Sequence, residues 1–526
     1  MADINGGDKI VLEKSPKNEG RDPMRSDAFD KFTEKMMKLR TDAFFAMEEK
    51  MDEMMQEVGN LLGKTSVPHF EKDELLYDKI KYQNRTKPSE DGNLPDKQFL
   101  PRESVLTYLF EIRHFRTIYN IFIVILMILF LHTAIYDVFV TGELNLGLSL
   151  IQWNFGGLSH VAMIWLGMMI TTLTVYPCFS YWCYQRISLT PKSILLRAWD
   201  WGWLCALMAC QALLGIVPVV LLLSYKFPPA SSFMLLMEQV RLMMKIHAFV
   251  RSNIPRALQY KPHTDVDSAP CPEFEKFLYF LFAPTLVYQD SYPRTKKIHW
   301  KFVAWHFLEV VGVIFYSSYL FERFLIPMFR DYGVKHFSLE KLVISIFGSM
   351  MPATLAFLCT FYGLLHSWMN AFAELMRFAD RMFYKDWWNA NSYASYYRMW
   401  NVVIHDWLYT YIYKDCFLLF GGRMLSTIVV FLVSALVHEY ILMFAFKFCY
   451  PVLFFAFGVF SASLVFLTKD SSKGGNLFMW LTLCTGTGLL TSLYSMEWYA
   501  RINCPRTIES SWDFFIPQSW FCNASN

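Results

Sequence analysis

The chain reads as all-α, a polytopic membrane protein with about nine transmembrane helices, and three observations predict this. Its 526 residues are 54% apolar, 18% aromatic and only 18% charged, too greasy a composition for an ordinary soluble protein of that length. A bilayer core needs roughly 20 mainly apolar residues per helix. Windows of that kind recur at Ile118–Val140, Val161–Tyr184, Trp199–Leu223, Phe302–Phe329, Leu342–Leu365, Leu425–Phe446, Pro451–Leu467 and Leu477–Tyr494. Finally, basic residues stand before the first window and between the second and third, as the positive-inside rule expects of a spanning chain.

In chain order, residues 1–25 show no periodicity and are expected to be disordered. Residues 26–63 place Phe29, Phe32, Met36, Leu39, Met47, Met51, Met54, Val58 and Leu61 among alternating charges, so an amphipathic helix is expected. It serves either oligomerisation through a bundle or contact with a membrane surface. Residues 64–100, with several Pro, Asn and Asp, read as a linker. Residues 101–500 form the transmembrane domain and 501–526 a polar tail.

Lys97, Arg102, Arg113 and Arg116 precede the first span and Asp137 and Glu143 follow it, which puts the N-terminus in the cytosol. Arg186, Lys192 and Arg197 agree, falling between the second and third spans. The eight windows alone would return the C-terminus to the cytosol. Cys504, Cys522 and the sequon Asn523-Ala-Ser525 fit a lumen better. The segment Ser231–Val250, with Glu238, Arg241 and Lys245 on an otherwise apolar pattern, is therefore read as a ninth span facing protein, against an interfacial helix as the alternative. No N-terminal signal peptide is visible, and the first span is expected to act as the insertion signal.

Charge excludes some functions. A net charge of +3 without a basic stripe argues against nucleic acid as a partner. The chain has no GxSxG, HExxH, P-loop or CxxC motif, so neither metal nor ATP chemistry is expected.

Two places concentrate reactive side chains. His438 sits in an almost wholly apolar span, where an ionisable group must face protein or a cavity. A neutral imidazole can accept a hydroxyl proton as a general base, and Ser434, one turn back, could hydrogen-bond to it or to a substrate. A purely structural interhelical bond is the alternative. The segment from Asn370 to Tyr409 is dense in Trp, Tyr, Asn and His. A helix there would set Asn401 and His405 on one face, with an amide able to donate to an oxyanion and tryptophans offering flat walls to a nucleotide or acyl chain. Interfacial aromatics and a helix-capping Asn would account for the same residues.

The runs FYKDWWN (Phe383–Asn389), WNVVIHDWLY (Trp400–Tyr409), SALVHEY (Ser434–Tyr440), YFLFAPTLVYQDSYPRT (Tyr279–Thr295) and EWYAR (Glu497–Arg501) closely resemble the sterol O-acyltransferases. These enzymes, also called acyl-CoA:cholesterol acyltransferases, lie within the membrane-bound O-acyltransferase superfamily. The likeness runs from Glu103 to the C-terminus. Diacylglycerol O-acyltransferases share FYxDWWN and the HEY histidine, but HDWLY, SYPRT and the paired C-terminal cysteines look like the sterol branch.

The resemblance implies transfer of a long-chain acyl group from acyl-CoA, a co-substrate rather than a cofactor, to the 3β-hydroxyl of cholesterol. It puts catalysis at His438, Asn401 and Trp400. Substrate contacts fall to Tyr397, Arg398, His405, Ser434, Trp388 and Asn389, with His366 and Asp380 supporting the site. It further implies a homo-oligomer, dimer or tetramer, in the endoplasmic reticulum membrane, with a luminal C-terminus and a Cys504–Cys522 disulfide. The rivals are acylation of diacylglycerol or another lipid alcohol, or a transporter or scaffold in which the buried His and Glu mark a pathway.

Overall fold

A computed structural model describes residues 94, 96–142, 147–261, 269–334, 338–468, 474–504 and 511–522. The expected helix over 26–63, the Asn523 sequon and most of the linker lie outside the described residues.

The described chain is helical and contains no strand. A short helix α1 (Val105–Glu111) leads into α2 (Arg113–Val140). The turn helix α3 (Leu148–Asn154) precedes α4 (Leu158–Ser188), α5 (Ile194–Tyr225) and α6 (Pro229–Gln259). After α7 (Phe274–Phe282) come the long helices α8 (Trp300–Phe329) and α9 (Leu339–Leu375). Two short helices, α10 (Tyr393–Trp400) and α11 (Val402–Leu408), and then α12 (Lys414–Phe420) run up to α13 (Arg423–Phe446). The chain closes with α14 (Phe454–Leu467) and α15 (Gly475–Asn503).

Local signals explain several boundaries. Ser193 caps α5 by accepting from Leu196 N at 3.1 Å, and Ser338 does the same for Lys341 N at 3.3 Å. Pro229 occupies the first turn of α6, where its missing N–H costs nothing. Between α12 and α13 the chain reverses at Gly421, whose φ of +66° is a conformation that side chains resist.

Among the described residues, seven helices are long and apolar enough to cross a bilayer: α2, the α3–α4 segment, α5, α8, α9, α13 and α15. The expected total of nine is not reached on that criterion, for two physical reasons. The segment Pro451–Leu467 yields only α14, a wide turn of eight residues followed by six helical ones, roughly 20 Å long against a core of about 30 Å. Helix α6 carries too many charges to qualify, yet Leu235, Leu236, Leu242, Ile246 and Phe249 on it are at most 1% exposed. It packs against α4, α5 and α13, the surroundings expected of a helix that faces protein rather than lipid.

Two packings place the site. Helices α9 and α15 make the most extensive pairing, through small residues that let backbones approach. Ser349 Oγ lies 2.9 Å from Ser492 Oγ and donates to the Gly488 carbonyl at 3.1 Å. Helix α13 packs on α6, and the segment Met376–Trp400 bridges α9 to it. That segment is pinned on both edges by backbone bonds, Arg102 N to Ala379 O at 2.9 Å and Ala379 N to Pro293 O at 3.0 Å. At the other end of the bundle Glu497 accepts from Arg501, Gln518 and Ser519, and Cys504 is joined to Cys522, so the tail folds back on α15 as the resemblance implied.

Candidate active site

His438 lies in the second half of α13, and its Nδ1 is 2.7 Å from the Ser434 carbonyl oxygen. A carbonyl only accepts, so Nδ1 carries the ring proton and Nε2 of the neutral imidazole keeps its lone pair. The bond expected from the Ser434 hydroxyl is thus made by its backbone, and no partner takes that hydroxyl among the described residues. The His438 side chain is exposed, with Phe457 packed against its ring. Glu439 turns away and accepts from Phe454 N at 3.1 Å and the Tyr494 hydroxyl at 3.3 Å.

One aromatic wall joins this histidine to the WNVVIHDWLY region. Phe457 of α14 meets His438 at 5.3 Å and Tyr397 at 5.3 Å, centroid to centroid, while Tyr397 meets Phe431 of α13 at 5.1 Å. Phe431 and Phe457 were not singled out in the sequence, where nothing distinguishes them from other apolar helix residues.

Trp400 stacks flat on Phe357 at 4.6 Å and stands edge-on to buried Trp387 at 4.7 Å. It therefore fixes the peptide from which Asn401 emerges. Asn401 is not inside a helix with His405; it is the N-cap of α11, its Oδ1 accepting from Ile404 N at 3.1 Å. The capping interpretation and the donor interpretation are compatible, because the cap uses only the oxygen and leaves the NH2 free to donate.

His405 is bonded to Asp406 at 3.5 Å and begins a ladder of near-parallel rings with Tyr409, Tyr413 and Phe417. Asp406 also takes the Lys97 ammonium at 2.6 Å. Burial opposes its charge, but His405 and Lys97 together hold the carboxyl below its ordinary value. Burial, with Arg102 and Lys97 nearby, pushes the Lys385 ammonium below the usual lysine range.

The remaining expected residues fall further out. Arg398 is exposed and donates to Ser395 Oγ at 3.1 Å; Asn389 is exposed beside Trp387. Trp388 contributes its carbonyl, which accepts from Asn476 at 2.8 Å and Trp480 at 3.1 Å. His366 is buried in a wide turn of α9, with Tyr384 OH at 2.7 Å and Ser104 Oγ at 3.2 Å from its Nδ1. Asp380 is tied to Arg102 at 2.6 Å and anchors the segment before α1. Both hold the framework. No group of three metal-ligating side chains occurs among the described residues.

A neutral imidazole that keeps a lone pair on Nε2 can take a hydroxyl proton, and an amide with an uncommitted NH2 can donate to an oxyanion. Residues 194–496 match the family model of the membrane-bound O-acyltransferases, and the chain belongs to that family. It is 42% identical over 459 residues to sterol O-acyltransferase 1 of Mus musculus, covering 85% of this chain and 83% of that one. It is 39% identical over 432 residues to sterol O-acyltransferase 2 of Homo sapiens, covering 81% and 80%. The chain is a multi-pass membrane enzyme.

Proposed function

We propose that the chain transfers a long-chain acyl group from acyl-CoA to the 3β-hydroxyl of cholesterol, giving cholesteryl ester and CoA. The observation that carries the mechanism is the Nδ1 bond to the Ser434 carbonyl, which leaves Nε2 of His438 as a proton acceptor. Nε2 takes the sterol hydroxyl proton as the oxygen attacks the thioester carbon. The amide of Asn401 donates to the carbonyl oxygen as its charge grows. The carbon–sulfur bond then breaks, and the departing CoA sulfur takes its proton from His438. Tyr397 and Phe457 wall the acyl path, and the His405–Tyr409–Tyr413 ladder offers a stacking surface for the nucleotide.

The sterol preference rests on the named relatives of both types; residence in the endoplasmic reticulum with a luminal tail and assembly as a homo-oligomer are carried over from the motif resemblance. The test is ester formation by the purified protein from labelled oleoyl-CoA, with cholesterol and diacylglycerol in parallel. Cholesteryl ester is the expected product, and His438→Ala is expected to lower its rate by roughly 10²-fold or more with the fold intact. Triacylglycerol instead would move the acceptor to the sister branch, and an unimpaired His438→Ala would end the base assignment.

A further inference from the structure

The apolar flanks of α13 supply contacts without direction, so polar bonds must set how the helix is turned about its axis. Those on the side away from His438 start from a proline. Pro218 lies inside α5 and cannot donate to the carbonyl of Leu214, four residues back. The fully buried Gln239 of α6 fills the gap, its amide donating to Leu214 O and Gly215 O, both at 2.8 Å. Its own oxygen accepts from the Tyr440 hydroxyl of α13 at 2.8 Å, and the same hydroxyl lies 3.2 Å from the Gly215 carbonyl.

Consecutive helix residues point about 100° apart. Tyr440 is therefore turned roughly 200° from His438, and Glu439, bonded to Phe454 N, faces between them. With Glu439 on one flank and Tyr440 behind, α13 is held on two faces and His438 is aimed by the bonds on the other two. We infer that Gln239 and Tyr440 are positioning residues for His438, an inference that rests on the proposed role of His438 as base. A side chain reaches about 6 Å from the helix axis, so a rotation of about 10° moves the imidazole by about 1 Å. A misplacement of that size can cost about 10²-fold in rate.

The test uses full-length purified protein, with initial rates against acyl-CoA at saturating sterol and thermal unfolding in the same detergent. Tyr440→Phe, which removes both bonds of the hydroxyl, is expected to lower kcat by about 10- to 100-fold, and Gln239→Met, which leaves the bond to Gly215, by less. KM for acyl-CoA should stay within about twofold, because the interaction lost acts on the reacting geometry rather than on binding. Gln239→Met also orphans the Leu214 carbonyl and should lower Tm. Adding Pro218→Ala returns an N–H to that carbonyl and should recover Tm while kcat stays below wild type, since Tyr440 then keeps only its longer bond to the Gly215 carbonyl. Wild-type kcat in Tyr440→Phe, or recovery of kcat together with Tm in the double variant, would overturn the inference. Should Gln239→Met fail to fold, Tyr440→Phe decides alone. His438→Ala run alongside separates the two readings: if it is fully active, the base assignment fails and the positioning claim with it. If it is dead while Tyr440→Phe is normal, only the positioning claim fails. Were the acylated product triacylglycerol, the same variants would be read on that product.

Discussion

Asn401 holds two jobs in different atoms, and a substitution can separate them. Its Oδ1 caps α11 through Ile404 N at 3.1 Å, while its NH2 is the proposed donor to the thioester oxygen. Asn401→Ala removes both: about 1 kcal/mol of cap and the donor together. Asn401→Ser keeps a cap oxygen of similar quality and carries no amide, so stability should change by only a few tenths of a kcal/mol. Loss of one oxyanion donor costs roughly 10²- to 10³-fold in kcat, or about 3 to 4 kcal/mol in the barrier. The assay pairs cholesteryl ester synthesis with Tm in detergent. The expected pattern is a serine variant with near-native Tm and a kcat reduced about as far as in the alanine variant. A serine variant that stays active, with the alanine variant impaired in proportion to its lost Tm, would show that Asn401 merely caps a helix.

Further outcomes follow from the same geometry. Asp406 is paired with Lys97 at 2.6 Å, and its folded-state pKa is depressed by His405 and Lys97 despite burial. A depressed carboxylate contributes stability that is full above its unfolded pKa, about 3.9, and is lost as pH falls through the lower folded value. Asp406→Asn should therefore lose about 1 kcal/mol at neutral pH, and the Tm gap to wild type should close on acidification below about pH 4. The Cys504–Cys522 bond closes a separation of 18 residues, for which the chain-entropy estimate is about 3 kcal/mol. Because Glu497 also holds the tail through Gln518 N and Ser519 N, replacing both cysteines by serine should lower Tm without changing kcat, read by unfolding scans and ester synthesis side by side.

Much of the fold was legible because membrane solvent writes itself into composition. A helix crossing lipid must satisfy its own backbone and show apolar side chains, so α2, α5, α8, α9, α13 and α15 stand out as uninterrupted apolar runs. The two spans that did not meet the criterion fail where that rule weakens. Helix α6 is wrapped by protein, so its charges find partners: Lys245 donates to Ala283 O at 2.8 Å and Arg241 pairs with Glu238 at 2.6 Å. Helix α14 opens with a wide turn and packs on α13, so the apolar run Pro451–Leu467 gives a helix shorter than a crossing.

At the site, the sequence by itself determined the chemistry available: the histidine His438 in an almost wholly apolar span, an amide after a tryptophan, and no nucleophile or metal motif beside them. The resemblance then narrowed the reaction. What only the tertiary structure decided is which atom does what. The Ser434 carbonyl rather than its hydroxyl sets the His438 tautomer, Asn401 shares its amide between a cap and a free donor, and Gln239 turns the vacancy left by Pro218 into a tie to Tyr440. Such bonds join residues as much as 201 positions apart in the chain. Periodicity reports which face of a helix is apolar, but a hydrogen bond depends on distances of a few tenths of an ångström, and only packing sets those.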